Sequence, residues 1–286
     1  MDKEEWFQKF SDGYLLDSGK PGPTSVIMAG THGNEICGVK AFYQIVPTLN
    51  IEKGKVYFVF GNPRAIEQKV RLTEFNLNRT FRTANFYTKE IKKTYEYQRA
   101  QYLKKILTKA DTLLDIHSTT NPGSKPFIIC SKKGHKIATF LPKMFIREVW
   151  GFGDIEPGAT DDFMDSKGKI GITVECGQHD DIKAVNLAKE TILSFLIIRG
   201  HNENKVKNKQ NKRPVFQMQR IYKNKSASFK LKKKFVDFSP IKKGALIGFD
   251  GLHPVNSDRN GVIVFAHDTH GQNEEAFILG KRIKLT

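Results

Sequence analysis

Through the first 200 residues, short runs of consecutive apolar residues alternate with stretches whose apolar positions recur at helical spacing. Residues 25–29 (SVIMA) run into Gly30 and predict a buried strand followed by a turn. Residues 36–46 then carry helical spacing. Residues 56–60 (VYFVF) predict a second strand, ended by Gly61-Asn62-Pro63. Residues 89–109 predict one long helix, with Tyr95, Tyr102, Leu103 and Ile106 on a shared face. Residues 112–116, 126–130 and 170–174 predict further strands, and 182–198 a strongly apolar helix. Strands alternating with helices predict an α/β domain with a mostly parallel or mixed sheet flanked by helices.

The pattern changes after residue 214. Residues 215–222, 227–231, 245–248, 261–266 and 276–279 are short strand-like runs with turn residues between them. They predict a small C-terminal all-β domain. Between the two patterns, 201–214 (HNENKVKNKQNKRP) has one strongly apolar residue, Val206, and reads as a solvated basic linker. The expected organisation is an α/β domain over 1–200, a linker over 201–214 and a β domain over 215–286.

Composition narrows the class. The chain has 286 residues, 39% of them hydrophobic, which supports a real core. No apolar run approaches the roughly 18–20 residues of a membrane helix, so no membrane partner is expected. The start, MDKEEWFQKF, is acidic and mixed and does not read as a secretory signal. Three cysteines do not make a disulfide framework. A cytoplasmic protein is expected. The net charge of +17 suggests nucleic acid as a partner. Yet residues 201–245 alone hold twelve lysines and two arginines against Glu203 and Asp237, a net +12. The excess is therefore local. Phe216, Tyr222, Phe229 and Phe235 lie among these charges, but alternating strands explain them as core. Lys230 and Lys232 to Lys234 read as a solvated strand edge.

Four places carry chemistry. Gly30-Thr31-His32-Gly33-Asn34-Glu35 lies between a strand and a helix, where open α/β sheets place their sites. His32 and Glu35 can converge there on one metal, offering an imidazole nitrogen and a carboxylate oxygen, or stand exposed at a turn. Asp115-Ile116-His117-Ser118-Thr119 ends a strand; His117 can supply a third ligand, and Asp115 either orients a ligand or caps a loop. Glu175, in Val174-Glu175-Cys176-Gly177-Gln178, lies at a sheet edge in water or in a cleft that raises its pKa toward that of a general base. Asn62-Pro63-Arg64-Ala65, Arg71 and Asn76-Leu77-Asn78-Arg79 supply arginines that either grip a carboxylate and polarise a carbonyl or sit on the surface.

Taken together, GTHGNE, NPRA with Arg71, NLNR, DIHST and VECGQ occur in the order and spacing of the succinylglutamate desuccinylase/aspartoacylase family, zinc-carboxypeptidase-like hydrolases that the chain resembles. The resemblance implies a zinc-peptidase-like α/β domain followed by a small β domain. It implies His32, Glu35 and His117 as ligands of one zinc ion per chain. It implies Glu175 as catalytic base, Arg71 as the group that polarises the scissile carbonyl, and Asn78 with Arg79 as the grip on a substrate carboxylate. The implied reaction is attack of metal-activated water on the amide of a small anionic N-acyl amino acid, releasing an acyl group of the succinyl or acetyl type.

Three positions depart from the family pattern. Asn76 stands where the family usually has aspartate, removing a charge beside the arginine pair. Asp165 stands where aspartoacylases have the arginine that binds a side-chain carboxylate. A tyrosine near the C-terminus of aspartoacylases falls at Phe277. Cys37 and Cys176 read as small buried residues, His179 as a surface histidine, and His253, His267 and His270 as solvent-facing. A zinc carboxypeptidase acting on short peptides and a basic nucleic-acid-binding protein remain as alternatives, and a homo-oligomer is open.

Overall fold

The computed structural model describes residues 7–10, 12–119, 123–179, 181–203 and 210–285. Its strands are β1 (Phe7–Phe10), β2 (Gly13–Asp17), β3 (Thr24–Ala29), β4 (Lys55–Phe60), β5 (Thr112–Thr119), β6 (Phe127–Cys130), β7 (Glu148–Trp150), β8 (Ile170–Gln178), β9 (Val215–Lys223), β10 (Phe229–Leu231), β11 (Ser239–Ile241), β12 (Leu246–Asp250), β13 (His253–Asn256), β14 (Gly261–Val264) and β15 (Glu275–Ile283). Its α-helices are α1 (Cys37–Ile45), α2 (Pro63–Gln68), α3 (Lys89–Lys93), α4 (Tyr95–Leu107), α5 (His135–Ala138), α6 (Phe152–Ile155), α7 (Thr160–Ser166) and α8 (Ile182–Ile198).

Among the described residues, twelve strands form one mixed sheet in the order β1-β2-β4-β3-β5-β8-β6-β7-β9-β15-β14-β11. Its centre, β4-β3-β5-β8, is parallel. These strands are buried on both faces, which is why they read as continuous apolar runs. Ile27, Ala29, Leu114, Ile116 and Val174 point into a core shared with α1 and α8. Val26, Met28, Val59 and Leu113 point into a second core with α4 and α7. The C-terminal strands continue the same sheet, because β9 pairs in parallel with β7. Strands β10, β12 and β13 form a separate three-stranded sheet. No helix among the described residues is long and apolar enough to cross a membrane.

Two expectations change. The single helix over 89–109 is two helices. Thr94 has an extended backbone and its hydroxyl accepts from the Tyr97 N–H, so it ends α3 and caps α4. The segment read as a solvated linker is tied down on both sides of residues 204–209, which lie outside the described residues. His201 is fully buried, bonded to the Ser25 hydroxyl at 2.8 Å and the Lys53 carbonyl at 3.0 Å. Arg213 donates to the carbonyls of Ala138, Leu141, Pro142 and Phe145. Its charge is spent on closing the loop after α5.

Candidate metal centre and active site

The strand order sets the site. The ends of β4, β3, β5 and β8 lie side by side, and each carries one of the sequence motifs. The loop after β3 is pressed against the start of α2. A Cβ on Gly33 would lie 2.0 Å from the Ala65 carbonyl carbon, so only glycine allows this approach. The Gly33 N–H also donates to the Arg71 carbonyl at 3.2 Å. The GTHGNE and NPRA motifs therefore form one surface.

On that surface His32, Glu35 and His117 meet, each at most 5% exposed. His32 Nδ1 lies 2.7 Å from Glu35 Oε1, and His117 Nδ1 lies 2.8 Å from Glu35 Oε2. One ligand atom from each residue falls within 4.8 Å of the others. Burial alone would raise the Glu35 pKa, but the two facing imidazoles outweigh it and hold the carboxyl well below its usual range. Burial lowers His32. For His117, burial acts downward and is outweighed by Asp115 and Glu35, which raise it well above the usual value.

Outer partners back both histidines. Asn76 Oδ1 accepts the backbone N–H of Asn78 at 2.9 Å, which identifies that atom as the amide oxygen. The same oxygen lies 3.1 Å from His32 Nε2 and can accept from it, which would leave Nδ1, 2.7 Å from Glu35, to face a cation. On the other histidine, Asp115 Oδ2 lies 3.2 Å from His117 Nε2, a charge contact outside hydrogen-bond alignment. Asp115 is fully buried and held by the hydroxyls of Thr31 at 3.0 Å and Thr160 at 2.7 Å. It backs His117 and is not a loop cap. Two nitrogen donors and one carboxylate oxygen, with their outer partners in place, fit zinc.

Glu175 stands beside this group, because the parallel register pairs it with His117. It is 8% exposed, and its Oε2 has no hydrogen-bond partner among the described residues. Burial, then the charges of Glu35 and Asp237, push its pKa up to about 8. Glu175 is therefore in a cleft rather than at a wet edge. Arg71 reaches the same place and donates to Glu35 Oε1 at 3.0 Å. The side chains of Asn78 and Arg79 are engaged elsewhere. Asn78 Oδ1 accepts the Thr160 N–H at 3.1 Å, and Arg79 pairs with Glu275 at 2.7 Å. Arg64 forms a surface pair with Glu74 at 2.8 Å.

Several contributors were not read from the sequence. Fully buried Glu96, on α4, accepts from the Asn62 amide, the Thr73 N–H and hydroxyl, and the Phe75 N–H. It pins the loop that runs from Arg71 to Asn76. Thr31 and Thr160 orient Asp115, and Asp237 adds its charge near Glu175. No local pattern marks these residues, because their partners lie 20 to more than 80 positions away. His179 is buried, 2.9 Å from the Ser118 hydroxyl, and not at the surface. Cys37 and Cys176 lie in the core beneath the site, as expected of small buried residues. His253, His267 and His270 are exposed.

The sequence profile of the succinylglutamate desuccinylase/aspartoacylase catalytic domain matches residues 21–198. The chain belongs to this family. A probable aspartoacylase of Nostoc sp. is 29% identical over 167 residues, 53% of this chain and 54% of that protein. The N-acyl-aromatic-L-amino acid amidohydrolase (carboxylate-forming) of Rattus norvegicus is 32% identical over 186 residues, 57% of this chain and 56% of that protein. The chain thus spans about half the length of the curated relatives it matches. The structure of succinylglutamate desuccinylase from Vibrio cholerae superposes with a TM-score of 0.74 at 17% identity, covering 95% of this chain and 85% of that one. That likeness shows the shared fold, including its C-terminal strands.

The three departures of this family member have distinct addresses. Asn76 lies against His32 and also caps the turn that carries Asn78 and Arg79. Asp165 lies on α7, where burial raises its carboxyl. Phe277 is 3% exposed and stacks on Tyr222 at 4.9 Å, inside the core of the C-terminal strands. An amide behind His32 polarises the ring less than a carboxylate would. Asn76→Asp is therefore expected to tighten zinc binding by about tenfold or more, and Asn76→Ala to weaken it. Competition with a chromophoric chelator measures both. Equal affinity in all three proteins would show that Asn76 does not act through His32.

Proposed function

We propose that the chain is a zinc-dependent amidohydrolase that removes a succinyl- or acetyl-type group from an N-acyl amino acid. The buried His32, Glu35 and His117 group, with the unpartnered Glu175 carboxyl beside it, carries this reading. These three residues would hold the ion. When bound, zinc supplies Lewis acidity and makes water a stronger acid.

The chain's own residues do the rest. Glu175 takes the proton of the attacking water as the new C–O bond forms. Arg71 turns from Glu35 to the oxygen of the scissile carbonyl and donates to the negative charge that develops there. Glu175 then passes its proton to the leaving nitrogen as the C–N bond breaks. Asn78 and Arg79 hold the α-carboxylate, which makes the substrate a small anion at that end. The products are a carboxylate and a free amino acid. A cytoplasmic location belongs to this reading and rests on the odd cysteine count.

A panel of N-acetyl- and N-succinyl-amino acids, assayed beside dipeptides with zinc-loaded protein, tests it. The acyl amino acids are expected to be hydrolysed and the dipeptides spared. The reverse order would favour a carboxypeptidase. The nucleic-acid alternative loses its aromatic platform, because Phe216, Phe229 and Phe235 are buried.

A further inference from the structure

Arg79 is surrounded by acid. Its Nε and Nη2 both donate to Glu275 Oε1, at 3.1 and 2.7 Å. Its Nη1 donates to the Asn78 carbonyl at 2.9 Å. Glu156 Oε1 lies 3.4 Å from Nε, and Lys223 holds the other oxygen of Glu156 at 2.9 Å. Arg79, Lys223, Glu156 and Glu275 thus form a quartet of zero net charge. A guanidinium has five N–H groups, so one remains on each of Nη1 and Nη2. That edge suits a single carboxylate.

The flank of the site is rich in acid, with Arg82 as a nearby cation beside Asp162 and Gly158. Helix α7, whose Thr160 hydroxyl reaches Asp115, contributes Asp161, Asp162 and Asp165 and no basic residue. Asp162 Oδ2 accepts the Gly158 N–H at 2.9 Å, and Gly158 packs against the Arg79 backbone. The acids in contact with Arg79 itself are Glu275 and Glu156.

The geometry points to Glu275 as a specificity-determining residue: by occupying one edge of Arg79 and cancelling its charge, it makes the site take N-acyl amino acids with an uncharged or cationic side chain and reject those with a second carboxylate. This rests on the deacylase reading above. Asn78 and the free edge of Arg79 take the α-carboxylate. Glu275 then repels a side-chain carboxylate and accepts a hydrogen bond from an ammonium, while Glu156, held by Lys223, adds the weaker share. The quartet is partly exposed, with side-chain accessibilities of 22% for Arg79 and 32% for Glu275, so solvent moderates the effect.

The test uses the zinc-loaded full chain with N-acetyl-aspartate, N-acetyl-leucine and Nα-acetyl-lysine. The native protein is expected to favour the leucine and lysine compounds. Glu275→Gln keeps the hydrogen-bonding shape and removes the charge. It is expected to raise kcat/KM for the aspartate compound relative to the lysine compound by about tenfold, mainly through KM. Glu156→Gln should shift the same ratio in the same direction, and it serves as the readout if Glu275→Gln does not fold. A native preference for N-acetyl-aspartate, or a ratio unchanged in the folded variant, overturns the assignment while leaving the deacylase reading intact. Zinc-loaded native protein that turns over none of the three, nor any other acyl amino acid, removes both.

Discussion

Glu175→Ala is expected to lower kcat by about 10²–10⁴-fold while the protein still binds zinc. Glu175 stands beside the His32, Glu35 and His117 group, in register with His117. Its buried carboxyl has a free oxygen, and its pKa is pushed up to about 8 by burial and by Glu35 and Asp237. A base must be deprotonated to accept a proton, so this shift alone would put the acid limb of kcat near pH 8. A bound dication favours the charged carboxylate and moves that limb to lower pH. Zinc content by atomic absorption and turnover by amine release separate the two roles. Native turnover in the variant would remove Glu175 from the mechanism. Loss of zinc together with activity would make it a ligand.

His117→Ala is expected to abolish zinc retention and, with it, all measurable turnover. Deleting His117 leaves one imidazole and a carboxylate, too few for a closed set of three. The native site should also bind zinc with a marked pH dependence. The His117 pKa is raised well above its usual value, chiefly because Asp115 and Glu35 outweigh burial. The protonated imidazole is therefore favoured in the metal-free protein. Nδ1 must lose its proton before it can bind a cation, so affinity rises with pH and binding releases protons. Calorimetry in buffers of different ionisation enthalpy counts the protons. Zinc binding without proton release, or unchanged zinc content in His117→Ala, would show that His117 is not a ligand.

The parallel centre of the sheet was legible because strands buried on both faces must be apolar throughout. That His32, Glu35 and His117 would lie near one another was legible for a related reason: each lies on or after one of those strands. Glycine punctuated the turns, and Gly33 shows why, since the loop has no room for a side chain beside Ala65. The break at Thr94 was not legible. Apolar spacing continues across it, and only the cap geometry reveals two helices. The fate of the basic segment was equally hidden. Arg213 spends its charge on four backbone carbonyls that lie 68 to 75 positions away.

By itself, the sequence determined which residue types stand at the ends of the central strands: His32 and Glu35 after one, Arg71 after the next, His117 and Glu175 on two more. Local periodicity and turn residues are enough for that, because they act over a few positions. Only the tertiary structure decided what surrounds them. It gave His32 an amide for a partner and His117 a carboxylate, put Asp237 near Glu175, and brought Glu275 from 196 positions away onto Arg79. Charges so far apart in sequence interact only after the sheet has closed the distance between them, and those interactions set the charge that a substrate meets.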